Sequence, residues 1–355
     1  MKIEIDNRLS PYSHTPGAAA LIPGSSWSMR AFPTRLEFEN LISREKKAFD
    51  LELTGLMENF TLVQDLEKRA LIFFGSAKEG YVRLMVTHKD KALQIHAKRT
   101  PASGITIGKR TLKPKELLTI AVSEQGFLAP FIENLALGCH KAQDMGLMRR
   151  RLELDEILPF WFRLGQLTPA TPCVQEEGTL TLLHPIAERI AAKEKLTILE
   201  PFKQLFLAGF TDLFVPRLVD EQYQGIAPLL DSPSANLSPL TLLTEGAQLI
   251  RSIFFHQKET EMAFLPCLPP DLHAGRMLNI HAQSLLTCDM EWSKKTLRRL
   301  IIRPLKSIEI QPIFQKKIKT YRLRASGSDR GSTCKADETL QLKKGLTIWL
   351  DHFEK

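Results

Sequence analysis

The sequence predicts a mixed α and β protein in which β-structure, helix and β-structure follow one another along the chain. From residue 30 to 125, short alternating apolar runs are separated by Gly, Asn or charged turns, as in an antiparallel β-sandwich. After Phe127 the apolar residues recur at steps of three and four, which favours helix. Strand-like runs return after Phe264. We therefore expect a β-sandwich domain over 1–126, a helical domain over 127–263 and a β-rich domain over 264–355.

The first region contains seven or eight predicted strands. Residues 8–35 are rich in Pro, Gly and Ser and predict extended segments and turns. From Leu36 onward, runs such as YVRLMVTH and ALQIHAK alternate apolar and polar residues, which predicts half-buried strands. The pattern leaves open whether the two β-segments form two domains or one large sandwich.

Three predicted helices occupy the middle region. Apolar residues of 154–164 share one helical face, which Pro159 is expected to kink or break. Thr197 and Glu200 have the spacing of a capping box. Ser238 is a suitable N-cap and Pro239 a suitable first residue for a third helix, whose apolar residues begin at Leu240.

The composition is that of an ordinary soluble globular protein, with 43% hydrophobic and 25% charged residues in 355. No segment approaches 18 uninterrupted apolar residues, so we expect no membrane span. The amino terminus lacks a signal-peptide pattern, which predicts a cytoplasmic protein and leaves export without a cleaved signal open. Five widely spaced cysteines favour reduced thiols over a disulfide framework.

Familiar catalytic and metal-binding motifs are absent from the sequence. The cysteines and histidines form no CxxC or HxxxH pair, so no metal site is expected. The segment from Gly104 to Arg110 is one residue short of a P-loop, and neither a nucleophile elbow nor a dinucleotide fingerprint is present. We predict no cofactor.

The positive charge is concentrated near the carboxyl terminus. The chain has a net charge of +8, and the segment from Lys294 to Arg330 has twelve Lys or Arg residues against Glu309 and Asp329. Such a segment fits an acidic macromolecule such as nucleic acid. The alternative is that these charges lie on the solvent faces of strands.

Residues 264–280, FLPCLPPDLHAGRMLNI, are followed by DMEW and LRRLIIRP. This region resembles the carboxy-terminal region of bacterial α-L-fucosidase-type glycosidases, glycoside hydrolase family 95. The resemblance implies a β-sandwich, a barrel of helical hairpins and a terminal β-domain, with inverting hydrolysis by acids in the barrel. The helical middle would then resemble part of an (α/α) barrel. The whole chain is also similar to a chlamydial protein family, which brings no established activity with it.

Inverting hydrolysis requires two carboxyl groups about 6.5–9.5 Å apart. Asp220 and Glu221 lie beside Tyr223 and Gln224, residue types that suit a sugar pocket, and Glu245 in the following predicted helix is the best partner. We therefore predict these three acids as catalytic candidates. The alternative is a polar loop at Asp220 and Glu221 and an exposed helical position at Glu245.

Two further polar segments contain candidate ligand-binding residues. His140, Asp144 and Arg149 lie in GCHKAQDMGLMRRR, where His with Asp suits proton transfer and Arg suits a carboxylate or phosphate. His273 and Arg276 follow two prolines in a predicted loop, where side chains are available to a ligand. The alternatives are solvated or ion-paired arginines and an Arg276 that bonds loop carbonyls.

The leading functional prediction is a carbohydrate-binding protein or a shortened inverting glycosidase-like protein, which need not retain hydrolysis. If the chain is an enzyme, it is predicted to be a glycoside hydrolase. The alternative is a structural or interaction module whose basic C-terminal region binds an acidic partner such as nucleic acid. The sequence leaves the oligomeric state open.

Overall fold

Two β-sheet regions with short helices between them make up the computed structural model, which describes residues 2–123, 126–171, 177–230, 237–325 and 329–355. Strands account for 41% and helices for 18% of the structure. The strands before residue 123 are β1 (Tyr12–Ser13), β2 (Ala19–Leu21), β3 (Trp27–Phe32), β4 (Arg35–Asn40), β5 (Lys46–Asp50), β6 (Glu58–Asp65), β7 (Ala70–Ala77), β8 (Gly80–Lys89), β9 (Ala92–Arg99), β10 (Ile105–Ile107), β11 (Arg110–Leu112) and β12 (Leu117–Ala121).

These strands form a β-sandwich-like unit. In the described chain, one antiparallel sheet has the order β1-β6-β7-β8-β9-β12 and a second has the order β2-β3-β4-β5. The buried side chain of Gln64 in β6 joins the sheets, because its Nε2 donates to the carbonyl of Leu21 in β2 at 2.8 Å. In β8, Val82, Leu84 and Val86 are buried and their neighbours are more exposed, as the alternating pattern predicted.

The middle of the chain contains short helices and a few short strands. Its elements are β13 (Asn134–Ala136), α1 (Met145–Arg151), α2 (Leu154–Gln166), a 3₁₀ helix (Gly178–Leu182), α3 (Leu183–Ala191), α4 (Leu199–Gly209), β14 (Phe210–Thr211), β15 (Val215–Pro216) and α5 (Leu240–Phe254). Helix α2 continues through Pro159, so the expected break is absent. No helix in the described ranges is long and apolar enough to cross a membrane.

The C-terminal region is again built from two sheets. Its strands are β16 (Phe255–Lys258), β17 (Glu261–Phe264), β18 (Gly275–Ala282), β19 (Leu286–Ser293), β20 (Thr296–Pro304), β21 (Ile308–Ile313), β22 (Thr320–Arg324), β23 (Ser332–Lys335), β24 (Leu340–Leu342) and β25 (Ile348–Glu354). Within the described residues, the larger sheet has the order β13-β18-β19-β20-β25-β22-β23 and the smaller has the order β16-β17-β21-β24. The pairing of β17 with β21 is parallel.

The prediction of a helical middle resembling part of an (α/α) barrel is wrong. The described chain has only five α-helices, and the longest, α5, has 15 residues. Strand β13, from the expected helical region, pairs with β18 of the C-terminal sheet. The apolar steps of three and four do mark the buried faces of α2 and α5. Such steps predict which face of a helix is buried, but they do not distinguish a helical barrel from single helices beside sheets.

Helices α2 and α5 approach so closely that glycine is required on each. A Cβ at Gly165 of α2 would lie 2.3 Å from the carbonyl oxygen of Leu243, and a Cβ at Gly246 of α5 would lie 2.5 Å from the ring of Trp161. The indole Nε1 of Trp161 donates to the carbonyl of Leu242 at 3.1 Å. Because α5 runs directly into β16, this contact also fixes where the C-terminal sheets begin.

An ion pair between the buried Glu133 and the half-buried Arg251 joins the middle region to the C-terminal sheet. The carboxylate of Glu133 accepts hydrogen bonds from Arg251 of α5 at 2.8 to 3.1 Å and from the backbone N–H of His281 in β18 at 2.8 Å. Arg251 also donates to the carbonyl of His281 at 2.8 Å. Removing one member would leave a buried charge without its partner, which is costly.

The substitution Gly165→Ala tests the close approach of α2 and α5. We expect it to lower the free energy of unfolding by about 1–3 kcal/mol, because the Leu243 carbonyl cannot move away without shifting α5. Chemical denaturation of the full chain measures the effect.

The matched control is Gly146→Ala in α1, where the nearest atom to the new Cβ is the Asp144 carboxylate oxygen at 3.3 Å. It should leave stability within about 1 kcal/mol of the parent, since alanine is the better helix former. Equal losses in both variants would contradict the proposed packing constraint.

Candidate functional site

Asp220 is a buried residue that organises the turn after β15. Its carboxylate accepts hydrogen bonds from the backbone N–H groups of Gln222 and Gln224 at 3.3 and 3.0 Å, and from the side chain of Gln224 at 3.1 Å. The guanidinium of Arg217 lies 3.6 Å away and also donates to the carbonyl of Ala208 at the end of α4 at 2.9 Å. These contacts give Asp220 a structural role in the turn.

The other two predicted catalytic acids are exposed. Glu221 is 69% exposed and lies 3.5 Å from Arg217, and Glu245 is on the solvent side of α5. None of the three predicted acids lines any of the three concave sites described below. Their catalytic role stays a prediction.

Residues of the GCHKAQDMGLMRRR segment hold local structure together. Asp144 caps α1 and accepts a hydrogen bond at 3.0 Å from the backbone N–H three residues later. The ring of His140 lies at hydrogen-bond distance, 2.8 Å, from the side-chain oxygen of Asn7. Arg149 donates to the carbonyl of Phe210 at 3.1 Å. The three residues thus reach different parts of the fold.

His273 and Arg276 differ in their surroundings. His273 is exposed, and its Nδ1 lies 3.4 Å from the carbonyl oxygen of Asp271. Arg276 belongs to β18, and it donates to the carboxylate of Glu291 and to the carbonyl of Glu4, both at 3.0 Å. The expected loop therefore ends before Arg276.

A small pocket of about 40 Å³ with both polar and apolar lining lies between the N-terminal segment, β13, α2 and residues 139–143. Burial, followed by the charge of Glu153, raises the pKa of Asp155. Burial opposes ionisation of Glu156 as well, but hydrogen bonds from Arg151 and Lys141 hold its pKa below the usual range. The volume suits a few water molecules and is too small for a sugar.

The largest of the three concave sites is a groove of about 1020 Å³, which we call the lysine groove. It lies between α3, the C-terminal half of α5 and the outer face of the sheet that contains β16, β17 and β21. Register places His256, Ala263 and Ile313 in one row on that face. Six lysines line the groove: Lys193, Lys195, Lys258, Lys295, Lys316 and Lys317.

The floor of the lysine groove is apolar and open to solvent. Ile190 and Leu249 come from the two helices, Ile313 from β21, and Pro266 from the segment after β17. These side chains are half-buried or exposed, and Ile313 is 42% exposed. Exposed aliphatic side chains in one concave surface are typical of a binding site.

The LPCLP segment forms one end of the groove because it docks on the end of α5. The backbone N–H groups of Leu265 and Cys267 donate to the carbonyls of Phe254 and Ile253 at 2.7 and 3.2 Å. These bonds satisfy carbonyls that a helix terminus leaves without intrahelical partners. The sequence feature that resembled a glycosidase region therefore shapes the groove.

Gln315 holds two lysine-bearing segments together. Its side chain donates to the carbonyl of Lys295 at 2.9 Å and accepts from the backbone N–H of Leu297 at 3.2 Å. It thereby fixes the β19–β20 turn next to Lys316 and Lys317. Partial burial lowers the pKa of Lys317, and the nearby positive charges of Lys355, Lys195, Arg298 and Lys295 lower it further.

The lysines of the groove have no acidic partners among the residues that the structure describes. Within the described ranges, no carboxylate lies within 4 Å of any of the six, and Glu261 is the one acidic residue in the groove lining. Six positive charges against one negative charge leave a local excess of five. Such an uncompensated field attracts an anionic ligand.

Sequence reasoning identified part of this site. Lys295, Lys316 and Lys317 belong to the basic C-terminal segment, but Lys193, Lys195 and Lys258 come from the middle region and were missed. The only sequence signal for Lys193 and Lys195 is the local run KEK at 193–195, which a solvated loop would also give, and Lys258 is a single lysine in HQKET.

Metal-binding side chains do not cluster in the described part of the chain. Cys139, Cys267, Cys288 and Cys334 are free thiols, and Cys173 lies outside the described residues. No protein-family model and no curated protein matches this chain.

The substitution Asp220→Ala separates a structural from a chemical role. We expect it to lower the free energy of unfolding by about 1–3 kcal/mol, because the buried guanidinium of Arg217 loses its charged partner and the backbone N–H groups of Gln222 and Gln224 lose their acceptor. The exposed neighbour provides the control, since Glu221→Gln should change stability by less than about 0.5 kcal/mol. Urea denaturation of both variants measures this difference, and equal stabilities would contradict the structural role of Asp220.

Proposed function

We propose that this chain is an interaction module that binds an acidic amphipathic segment of a partner protein in the lysine groove. The observation that carries the proposal is the combination of an apolar floor with six lysines that lack acidic partners within the described part of the chain. An interaction module with an acidic partner is the alternative prediction from the sequence. The proposal adds a defined surface and limits the partner to an acidic amphipathic protein segment.

The two parts of the groove would contribute differently to binding. Burial of one aliphatic side chain contributes about 1.5–3 kcal/mol before the costs of association, so the floor favours a ligand with apolar side chains. An exposed ion pair contributes about 0–1 kcal/mol. The lysines therefore act mainly through the association rate and through selection of acidic partners.

The surroundings of the lysines favour a peptide over nucleic acid. Single-stranded nucleic acids bind through aromatic side chains on which bases stack. The aromatic residues of the groove are Phe264, which is fully buried, and Phe314, which is half-buried beneath other rings. A helix with apolar residues on one side and acidic residues beside them matches an aliphatic floor with a basic rim.

The saccharide hypothesis remains a separate prediction. Its basis was a resemblance that implied a helical barrel, and the described chain contains five separate helices instead. Neutral sugars therefore serve as a competing ligand class in the test below.

Fluorescence polarisation with a labelled synthetic peptide tests the proposal. The peptide has about sixteen residues, with leucine at every third or fourth position and glutamate between them. We expect a dissociation constant of about 1–100 μM at low salt that weakens as salt screens the lysines. The variant Lys295→Glu/Lys317→Glu should weaken binding by at least about tenfold, and Ile313→Ser by about fivefold.

Three controls accompany this experiment. Lys109→Glu changes an exposed lysine in the β10–β11 turn, far from the groove lining, and should leave binding unchanged. A scrambled peptide of the same composition should bind at least about tenfold more weakly, since its apolar residues no longer share one face. Equal binding of both peptides, or a thermal shift with a fucoside or galactoside but with neither peptide, would contradict the proposal.

A further inference from the structure

A second basic site, separate from the lysine groove, lies at the C-terminal sheet. It is a cleft of about 720 Å³ lined by four arginines, Arg298, Arg299, Arg322 and Arg324, together with Asp351, His352, Phe353 and Glu354. We call it the arginine cleft. The arginines come from β20 and β22, which flank β25 in the sheet, so a rigid scaffold presents them.

Asp351 orients two of the arginines. Its carboxylate accepts hydrogen bonds from Nε and Nη2 of Arg322 at 2.8 and 3.2 Å, and from Nη2 of Arg324. The Asp351 side chain is only 9% exposed. Burial opposes its charge, but the hydrogen bond from Arg322 and the charges of Arg324 and Arg322 hold the pKa of Asp351 below the usual range. The carboxylate thus stays ionised and fixes two guanidinium groups.

The remaining two arginines are held by different partners. Arg299 is ion-paired with Glu291 of β19, whereas Nε of Arg298 donates to the hydroxyl of Ser293 at 3.1 Å. In the described chain no carboxylate lies within 4 Å of Arg298. The lining of the cleft thus contains four arginines and two acidic residues, Asp351 and Glu354.

Arg298 and Arg322 keep N–H donors that these contacts do not use. A guanidinium has five N–H donors, of which Arg322 uses two for Asp351 and Arg298 uses one for Ser293. Fixed guanidinium groups bind tetrahedral oxyanions with paired N–H donors, and a phosphate monoester accepts such bonds on three oxygens. We propose that the arginine cleft is a binding site for a phosphate group, either free or on a phosphorylated side chain.

The site is close to the lysine groove. Lys295 of the groove and Arg298 of the cleft are three residues apart in the β19–β20 hairpin, and burial, assisted by the charge of Arg298, lowers the pKa of Lys317, so the two surfaces share one positive field. A phosphorylated residue near an acidic segment in the groove would meet the cleft. The idea that one partner occupies both the groove and the cleft rests on the proposed function. Binding of free phosphate does not, because it needs only the cleft.

Isothermal titration calorimetry of the full chain with inorganic phosphate tests the cleft at low ionic strength. We expect binding with a dissociation constant of about 1 mM or tighter. The variant Arg298→Gln, at an exposed position, should weaken it by at least about tenfold through loss of charge-assisted bonds. The variant Arg322→Gln should do the same, and circular dichroism with thermal unfolding checks that each variant is folded.

The control for these variants is Arg110→Gln, an exposed arginine in β11, which should leave phosphate binding unchanged. At about 0.15 M salt, where the Debye length is about 8 Å, the groove variant Lys295→Glu/Lys317→Glu should retain phosphate binding within about threefold of the parent measured at the same salt, since the salt then screens most of its effect. Absence of phosphate binding below about 10 mM, or equal weakening by Arg110→Gln and Arg298→Gln, would overturn the phosphate site.

A pair of peptides distinguishes the sources of the phosphate. The acidic peptide used for the groove is extended by one serine, in unmodified and phosphorylated form. If the cleft binds a phosphorylated partner, the phosphorylated peptide should bind at least about tenfold more tightly than the unmodified one. The variant Arg298→Gln should lose this difference. Equal binding of the two forms, with phosphate binding intact, would assign the cleft to free phosphate and leave the groove proposal unaffected.

Discussion

The contact between Trp161 and α5 is the constraint on which the rest of the structure depends. The indole donates to the Leu242 carbonyl and covers Gly246 so closely that no side chain fits there. Helix α5 continues without a loop into β16, so its position sets the smaller C-terminal sheet. The LPCLP segment then returns to the end of α5. One helix–helix contact thus determines both the start of the C-terminal region and the shape of the groove.

The two basic surfaces use the same positive segment in different ways. Three of the arginines in the cleft are ion-paired with carboxylates on neighbouring strands, namely Arg299, Arg322 and Arg324. The lysines of the groove lack such partners within the described residues. Pairing immobilises a guanidinium and suits recognition of a defined oxyanion, whereas unpaired lysines on flexible stems suit a less regular set of carboxylates. A count of charges along the sequence cannot distinguish these cases.

The sequence predicted most of what depends on local pattern. The alternation in β8 marks Val82, Leu84 and Val86 as buried, because a strand exposes alternate residues to one face. The sequence could not show whether the middle region is a helical barrel or a set of single helices. The apolar positions of α2 have the same spacing whether the helix packs on other helices or on sheets. The lysine groove was not predicted for a related reason. Lys195, Lys258 and Lys295 are far apart in the chain, and only the tertiary fold brings them into one surface. Asp220 was singled out for its neighbours, yet its carboxylate serves the backbone of its own turn.

The uneven placement of charge has a consequence for how the molecule moves in solution. The segment from Lys294 to Arg330 has an excess of ten positive charges, and the whole chain has +8, so the remainder has a net charge of −2. The segment from Lys294 to Arg330 is therefore the main positive pole of the molecule. Near a negatively charged body the molecule experiences a torque that turns this pole forward before any contact forms. Its encounters with such a body are thus oriented by charge, and the segment from Lys294 to Arg330 leads the approach.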